Sequence, residues 1–182
     1  MATPFRPALD LLAQYAEYHR DRRNIATHFV GVPMIVFAVG VLLARPEFAL
    51  AGLALTPAWV VFALVALWYL SRGRLGIGLA TAVGVGVLIV LAHEASAGAS
   101  VATWLAWGVG FFVAGWIIQF VGHYYEGRKP AFADDLVGLL VGPMFVVMEL
   151  MALLGLFKSL MAEVEGRAGP THVRDLAQPV AR

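Results

Sequence analysis

The 182-residue chain has no cysteine. Disulfides, thiolate metal sites and cysteine nucleophiles are therefore excluded together. It is also poor in charge: 14% of its residues are Asp, Glu, Lys or Arg, and the 13 basic and 12 acidic residues leave a formal net charge of +1. No basic stripe interleaves with aromatics, which argues against a nucleic-acid partner. What is present is apolar. Hydrophobic residues make up 60% of the chain and the mean hydropathy is +0.79, whereas ordinary globular domains are about 45–50% apolar. Several runs approach the roughly 20 apolar residues that span a bilayer. The reading is an all-α integral membrane protein, a multi-span helical bundle with the lipid bilayer as its solvent.

Phe5 to His19 has apolar residues at Leu9, Leu12, Ala13 and Ala16, with Asp10, Gln14 and Glu17 mostly elsewhere. This spacing predicts an N-terminal amphipathic helix at the membrane surface. About five apolar helices follow, over Ala26–Ala44, Pro57–Leu70, Leu75–Ala92, Val101–Val121 and Leu136–Phe157. Residues 1–158 read as one membrane domain. Residues 159–182, with Gly166, Gly169, Pro170 and Pro179, read as a polar, weakly ordered tail. Gly76, Gly78, Gly84 and Gly86 let helices approach closely. The last run contains Gly138, Gly142 and Pro143, so it is either a complete span or a broken one.

Counting crossings groups the polar residues. If the first run starts on side A, the second returns there near Ser71 and the fourth near Gly122. His19, His28 and His123 then share side A, while His93 lies on side B, roughly 30 Å away across the hydrocarbon. Arg20, Arg22, Arg23, Arg72, Arg74, Arg128 and Lys129 also fall on side A, which predicts that this side is cytoplasmic. The matching membrane is a bacterial inner membrane or the endoplasmic reticulum.

Two strings stand where apolar runs meet water: YHRDRRNIATH over Tyr18–His28 and QFVGHYYEGRKPA over Gln119–Ala131. On one continuous helix His19 and His28 would point to opposite faces. A break at Asp21–Arg23, with Asn24 capping a helix that opens at Ile25, would let them share a site; the bland alternative is that Asn24 only caps and His28 is an interfacial residue. His123 and Glu126 share a face of the fourth run, and Gln119 lies one turn before His123. Gln119 either orients a ring or substrate, or satisfies a neighbouring backbone. Asp134 and Asp135 precede the last run, and Asp135 reads first as its N-cap. Glu149 lies inside an apolar run, where an ionisable group is costly. Converging neutral imidazoles suit Fe, Zn, Cu or Ni, and spacing does not choose among them.

At these residues the chain resembles the membrane Fe(II)-dependent 2-hydroxy-fatty-acid dioxygenases of fatty-acid α-oxidation. The resemblance is carried by Tyr18, His19, Asn24, His28 and Pro33, then by Trp116, Gln119, Phe120, Gly122, His123, Glu126, Pro130, Ala131 and Asp135, with Pro143 and Glu149 in the last run. It extends from about Tyr15 to Phe157. Relative to the family pattern, His123 to Pro130 is one residue shorter, and Asp135 stands where an Asn is usual.

The resemblance implies a non-haem Fe(II) dioxygenase that uses O2 to cleave a long-chain 2-hydroxy fatty acid between C1 and C2. His19, His28 and His123 would ligate the metal, with Gln119 and Glu126 in the chemistry. Arg23, Asn24, Arg128 and Lys129 would receive the substrate, and Tyr18, Asp135 and Glu149 would support the centre. Burial of the acyl chain among the spans would contribute about 0.8 kcal/mol per CH₂. Two other readings fit the residues alone: a membrane Zn-dependent lipid amidase or esterase with Glu126 as general base, and a non-enzymatic ion or proton pathway through Glu149.

Overall fold

The structure is a computed structural model, and it describes residues 5–50, 52–133 and 135–177. Among the described residues the chain is all-α apart from one small hairpin. Helix α1 covers Ala8–Ala16 and α2 covers Arg22–Ala44. Strands β1 (Phe48–Leu50) and β2 (Leu53–Leu55) pair antiparallel, with Phe48 opposite Leu55. Helices α3 (Pro57–Leu70), α4 (Leu75–Ser96), α5 (Val101–Leu105) and α6 (Phe111–Glu126) follow, with a π turn over Ala106–Gly110 joining α5 to α6. A 3₁₀ turn at Ala131–Ala133 precedes α7 (Gly138–Leu153) and α8 (Lys158–Ala168). Asp134 lies outside the described residues.

The expected five crossings become three long ones. By length and composition Arg22–Ala44, Leu75–Ser96 and Val101–Glu126 can each cross a membrane. Helix α3 is apolar but short, at about 21 Å for its length. It nevertheless returns the chain to side A: Thr56 before it bonds His93 at the end of α4, and Arg72 after it accepts from the Ala8 amide.

Helix α7 folds back instead of crossing. Near its start, Leu139 lines a cavity with Val36 and Trp116. One turn on, a Cβ at Gly142 would lie 3.9 Å from Val32 Cγ2 and 3.1 Å from Tyr15 Oη. Phe145 then packs 5.5 Å from the His19 ring, centroid to centroid. The partners thus step from the middle of α2 back to its beginning. At the end of α7 the chain bends by 119° into α8, through Gly155 and Phe157, both at positive φ. The last apolar run is therefore re-entrant, and the chain after it returns to side A.

The segment expected to be a loose tail carries α8 and then a strap. Arg167 of α8 pairs with Asp10 of α1 at 2.6 Å, and Glu163 pairs with Arg74 at 2.5 Å. Beyond α8, His172 N donates to Arg20 O and Arg22 N donates to His172 O, both at 2.9 Å. The N-terminal helix is present, but protein covers its apolar side: Ala8, Leu11, Leu12, Tyr15 and Ala16 belong to the buried core shared with Phe145, Leu160 and Val164.

Helices α2 and α6 lie close enough to touch backbones. A Cβ on Gly115 would sit 3.0 Å from Gly31 O, and one on Gly122 would collide with Thr27 Oγ1 and Asn24 Oδ1. Without a hydrophobic drive between helices in lipid, such small residues set the distance of approach. Gly122→Ala should therefore cost about 1–3 kcal/mol, read as a lowered melting temperature in detergent. Gly110→Ala, which has nothing within 4 Å of its added Cβ, should leave the melting temperature unchanged or slightly raised.

Candidate metal centre

The rings of His19, His28 and His123 meet. Each is buried, and their ligating nitrogens lie within 4.8 Å of one another. Ring centroids are 4.4 Å apart for His19–His28, 5.0 Å for His19–His123 and 5.3 Å for His28–His123. The chain bends as required to bring the first two together, at a different place from the expected one. Helix α1 ends at Ala16, so His19 sits in the connection between helices. Helix α2 opens at Arg22, three residues before the expected Ile25. Asp21, not Asn24, is its N-cap, accepting from Arg23 N at 2.8 Å. An ionised carboxylate at a helix start also gains from the dipole, which leaves the Asn24 amide for another task.

Two backbone carbonyls fix the ring tautomers. His19 Nδ1 bonds Tyr15 O at 2.7 Å, and His28 Nδ1 bonds Asn24 O at 2.9 Å. A carbonyl only accepts, so each Nδ1 carries a proton, and in the neutral rings each Nε2 presents a lone pair. These two Nε2 atoms face each other at 3.0 Å. Two buried lone pairs at that distance repel, and a shared cation relieves the repulsion. The donor set of neutral imidazoles, oriented by outer hydrogen bonds, fits a transition metal. Burial, followed by the nearby His28 and His123 rings, holds the His19 imidazole well below its ordinary range. That favours the neutral ring, the form that can ligate.

Glu126 does not point at the rings. Its Oε1 accepts from Arg20 N at 3.0 Å, and its Oε2 accepts from Asp21 N at 2.8 Å and from Asn24 Nδ2 at 3.0 Å. Asn24 Nδ2 also reaches Tyr18 O at 3.2 Å. One carboxylate thus ties the end of α6 to the break before α2. Gln119 is buried and lines a cavity beside His28 and His123, with its Oε1 unpartnered.

None of the expected cationic residues lines that cavity. Arg23 pairs with Asp21 at 2.7 Å and stacks over Tyr125. Arg128 donates to Glu17 O at 2.8 Å, and Lys129 is on the exposed loop after α6. Asp135 Oδ1 accepts from Val137 N at 3.0 Å in the turn before α7, and not as the expected N-cap: the helix opens at Gly138 behind Val137, with no side-chain cap bond. Tyr18 is half-buried against the core and presents its carbonyl to Asn24. Glu149 is buried on α7 with Oε1 unpartnered. Because α7 folds back, its carboxylate comes within the field of the Arg20 guanidinium, whose pKa burial lowers against the opposing pull of Glu149, Glu165 and Glu126. Outside the centre, His93 stacks on Trp59 at the far end of α4.

Tyr15 also belongs to the centre. Its ring stacks on His19 at 4.1 Å with planes 8° apart, its carbonyl orients that ring, and its side chain lines the cavity. The signal was its place one turn before His19 on α1.

A family model described as 2-hydroxy-palmitic acid dioxygenase Mpo1-like matches residues 5–154. The chain is also similar to the 2-hydroxy-palmitic acid dioxygenase MPO1 of Saccharomyces cerevisiae, with 34% identity over 164 residues covering 86% of this chain and 88% of the yeast protein. No solved structure matches it.

Removing the Glu126 carboxylate leaves three buried donors unmatched. Glu126→Ala should cost about 3–5 kcal/mol, at about 1–3 kcal/mol for each buried donor left unsatisfied, read as a lowered melting temperature, with Glu126→Gln losing less. Asp21 gives a pH test. Burial pushes its carboxyl up, but hydrogen bonds from the Arg23 side chain and the Arg174 and Arg23 amides outweigh that and hold it at about 2, below the ordinary 3.8. A carboxyl held down in the folded state stabilises above its unfolded value and loses that contribution as pH falls through the folded one. The melting temperature of the native protein should therefore drop more steeply between about pH 4 and pH 2 than that of Asp21→Asn.

Proposed function

The chain belongs to the family of 2-hydroxy-palmitic acid dioxygenase Mpo1-like proteins, and from that premise we propose that it is a membrane dioxygenase holding Fe(II) through His19, His28 and His123. Its substrate is a long-chain 2-hydroxy fatty acid, cleaved between C1 and C2. The reaction R–CH(OH)–COOH + O2 → R–COOH + CO2 + H2O balances without a further reductant. The acid gives up its C1–C2 bond and its electrons, and oxygen is reduced. The observation that carries the reading is the pair of Nε2 lone pairs facing at 3.0 Å beside a third buried imidazole.

When bound there, Fe(II) supplies open coordination positions and the redox chemistry by which dioxygen and the acid meet. The protein's own residues prepare the place. Tyr15 O and Asn24 O hold two rings in one tautomer, and Tyr15 stacks on the first. Glu126 keeps the helix break in shape and so acts as a positioning residue. With three donors on its two oxygens, it has little capacity left to serve as the general base of a zinc hydrolase. Gln119 accepts a hydrogen bond from the 2-hydroxyl of the acid through its unpartnered Oε1. Side A is the cytoplasmic side. The fold strengthens that assignment by returning Lys158, Arg167 and Arg174 to the face that already holds Arg20, Arg22 and Arg23.

Protein purified anaerobically with Fe(II) should convert 2-hydroxypalmitate into a fatty acid one carbon shorter, with label from ¹⁸O2 in the product. His19→Ala, His28→Ala and His123→Ala should each lose bound iron and about a hundredfold or more of turnover, as substitutions at a metal site and its supports do. Zinc at the site with turnover in the absence of oxygen would refute the proposal.

A further inference from the structure

The cavity beside the rings has a volume of about 70 Å³. It shares Ile35, Val36, Trp116, Leu139 and Pro143 with a second cavity of about 290 Å³, so the two adjoin. Together they follow one face of α2, through His28, Val32, Val36, Val39 and Leu43. Steps of three and four residues keep these side chains in line. At about 1.5 Å per residue, the path from His28 to Leu43 is roughly 22 Å long. Helix α3 forms the opposite wall, from Tyr69 near the rings to Ala58 at the far end. The Tyr69 hydroxyl is engaged with Leu140 O at 2.9 Å, so that wall stays apolar.

The lateral side is open. Val61 of α3 is 42% exposed and Phe112 of α6 is 36% exposed, and both border the groove. At the ring end Tyr15 of α1 lines the cavity, and the strap at His172 is bonded to Arg20 and Arg22. The far end is walled by Leu43 and the buried Ala58.

We propose that this groove holds the acyl chain of the substrate. The chain lies along α2 with its polar head at the imidazoles and its methyl end at Leu43 and Ala58, and it enters sideways from the bilayer between α3 and α6. Val39 and Leu43 then set the preferred chain length. The assignment rests on the reading of the site as a 2-hydroxy-acid oxygenase, and it adds the path of entry and the residues that measure the chain.

Two experiments on the full-length protein in lipid nanodiscs separate the two ideas. In the first, 2-hydroxypalmitate carrying a diazirine at its methyl end is photolysed with metal-free protein, and the labelled peptides are mapped. Labels on the peptides of Leu43 and Ala58, displaced by unlabelled 2-hydroxypalmitate, support the groove. Labels confined to the lipid-facing residues Val83, Val87 and Leu91 of α4, or displaced only by phosphatidylcholine, overturn it. In the second, kcat/KM is measured across 2-hydroxy acids of ten to twenty carbons. Val39→Phe should lower the ratio of sixteen-carbon to ten-carbon turnover by about tenfold or more, and Leu43→Ala should shift the preference to longer chains. An unchanged chain-length profile in both active variants overturns the groove. If no acid is turned over while labels still map to Leu43 and Ala58, the groove stands and the oxygenase reading falls.

Discussion

One carboxylate joins two segments separated by about a hundred residues. Glu126, at the end of α6, accepts the amides of Arg20 and Asp21 and the side chain of Asn24. Hydrogen bonds to an ionised acceptor are among the strong ones, and they strengthen further away from water. This contact fixes where the polypeptide turns between α1 and α2. The turn decides where His19 stands, and the same helix end brings His123 within reach. The three-ring centre therefore follows from a junction that contains none of its ligands.

Around that junction the bilayer imposes the rest. Long apolar helices satisfy their own backbones, and α2 and α6 approach through Gly31, Gly115 and Gly122. Helix α7 is tolerated as a re-entrant element because the turn before it bonds its own amides, Val137 N to Asp135 Oδ1 and Gly138 N to Asp135 O, and its end comes back to the surface. Folding back has two effects. It leaves an apolar cavity between α2, α3 and α6 that adjoins the one beside the rings. It also returns the C-terminal strap to the roof of the centre, where Arg174 N meets Asp21 and the Arg174 side chain donates to Tyr125 O.

The residues of the centre were legible in the sequence because membrane topology is close to a parity count. An even number of traverses between His28 and His123 places both on one side, whatever the details of the helices. Short α3 shows how robust this is: it lacks the length of a span and still returns the chain. The exact break between His19 and His28 was harder to see. Asp21 and Asn24 are both good caps, and only the distant Glu126 decides between them by engaging the Asn24 amide. The course of α7 was also hidden, because hydropathy cannot distinguish a crossing from a re-entrant helix, and Gly142 and Pro143 suit either. The same fold-back brings Glu149, inside an apolar run, within the field of Arg20. Tyr15 escaped notice because its contribution is a carbonyl and a stacked face, which its residue type does not announce.

The central claim is that the three imidazoles together hold one iron ion. X-ray absorption on protein reconstituted anaerobically with a single equivalent of Fe(II) tests it directly. The account predicts the multiple-scattering signature of three histidine rings in the first coordination sphere, falling to two rings when any one of His19, His28 or His123 is replaced. A sphere of oxygen atoms alone, or a spectrum unmoved by those replacements, would contradict it.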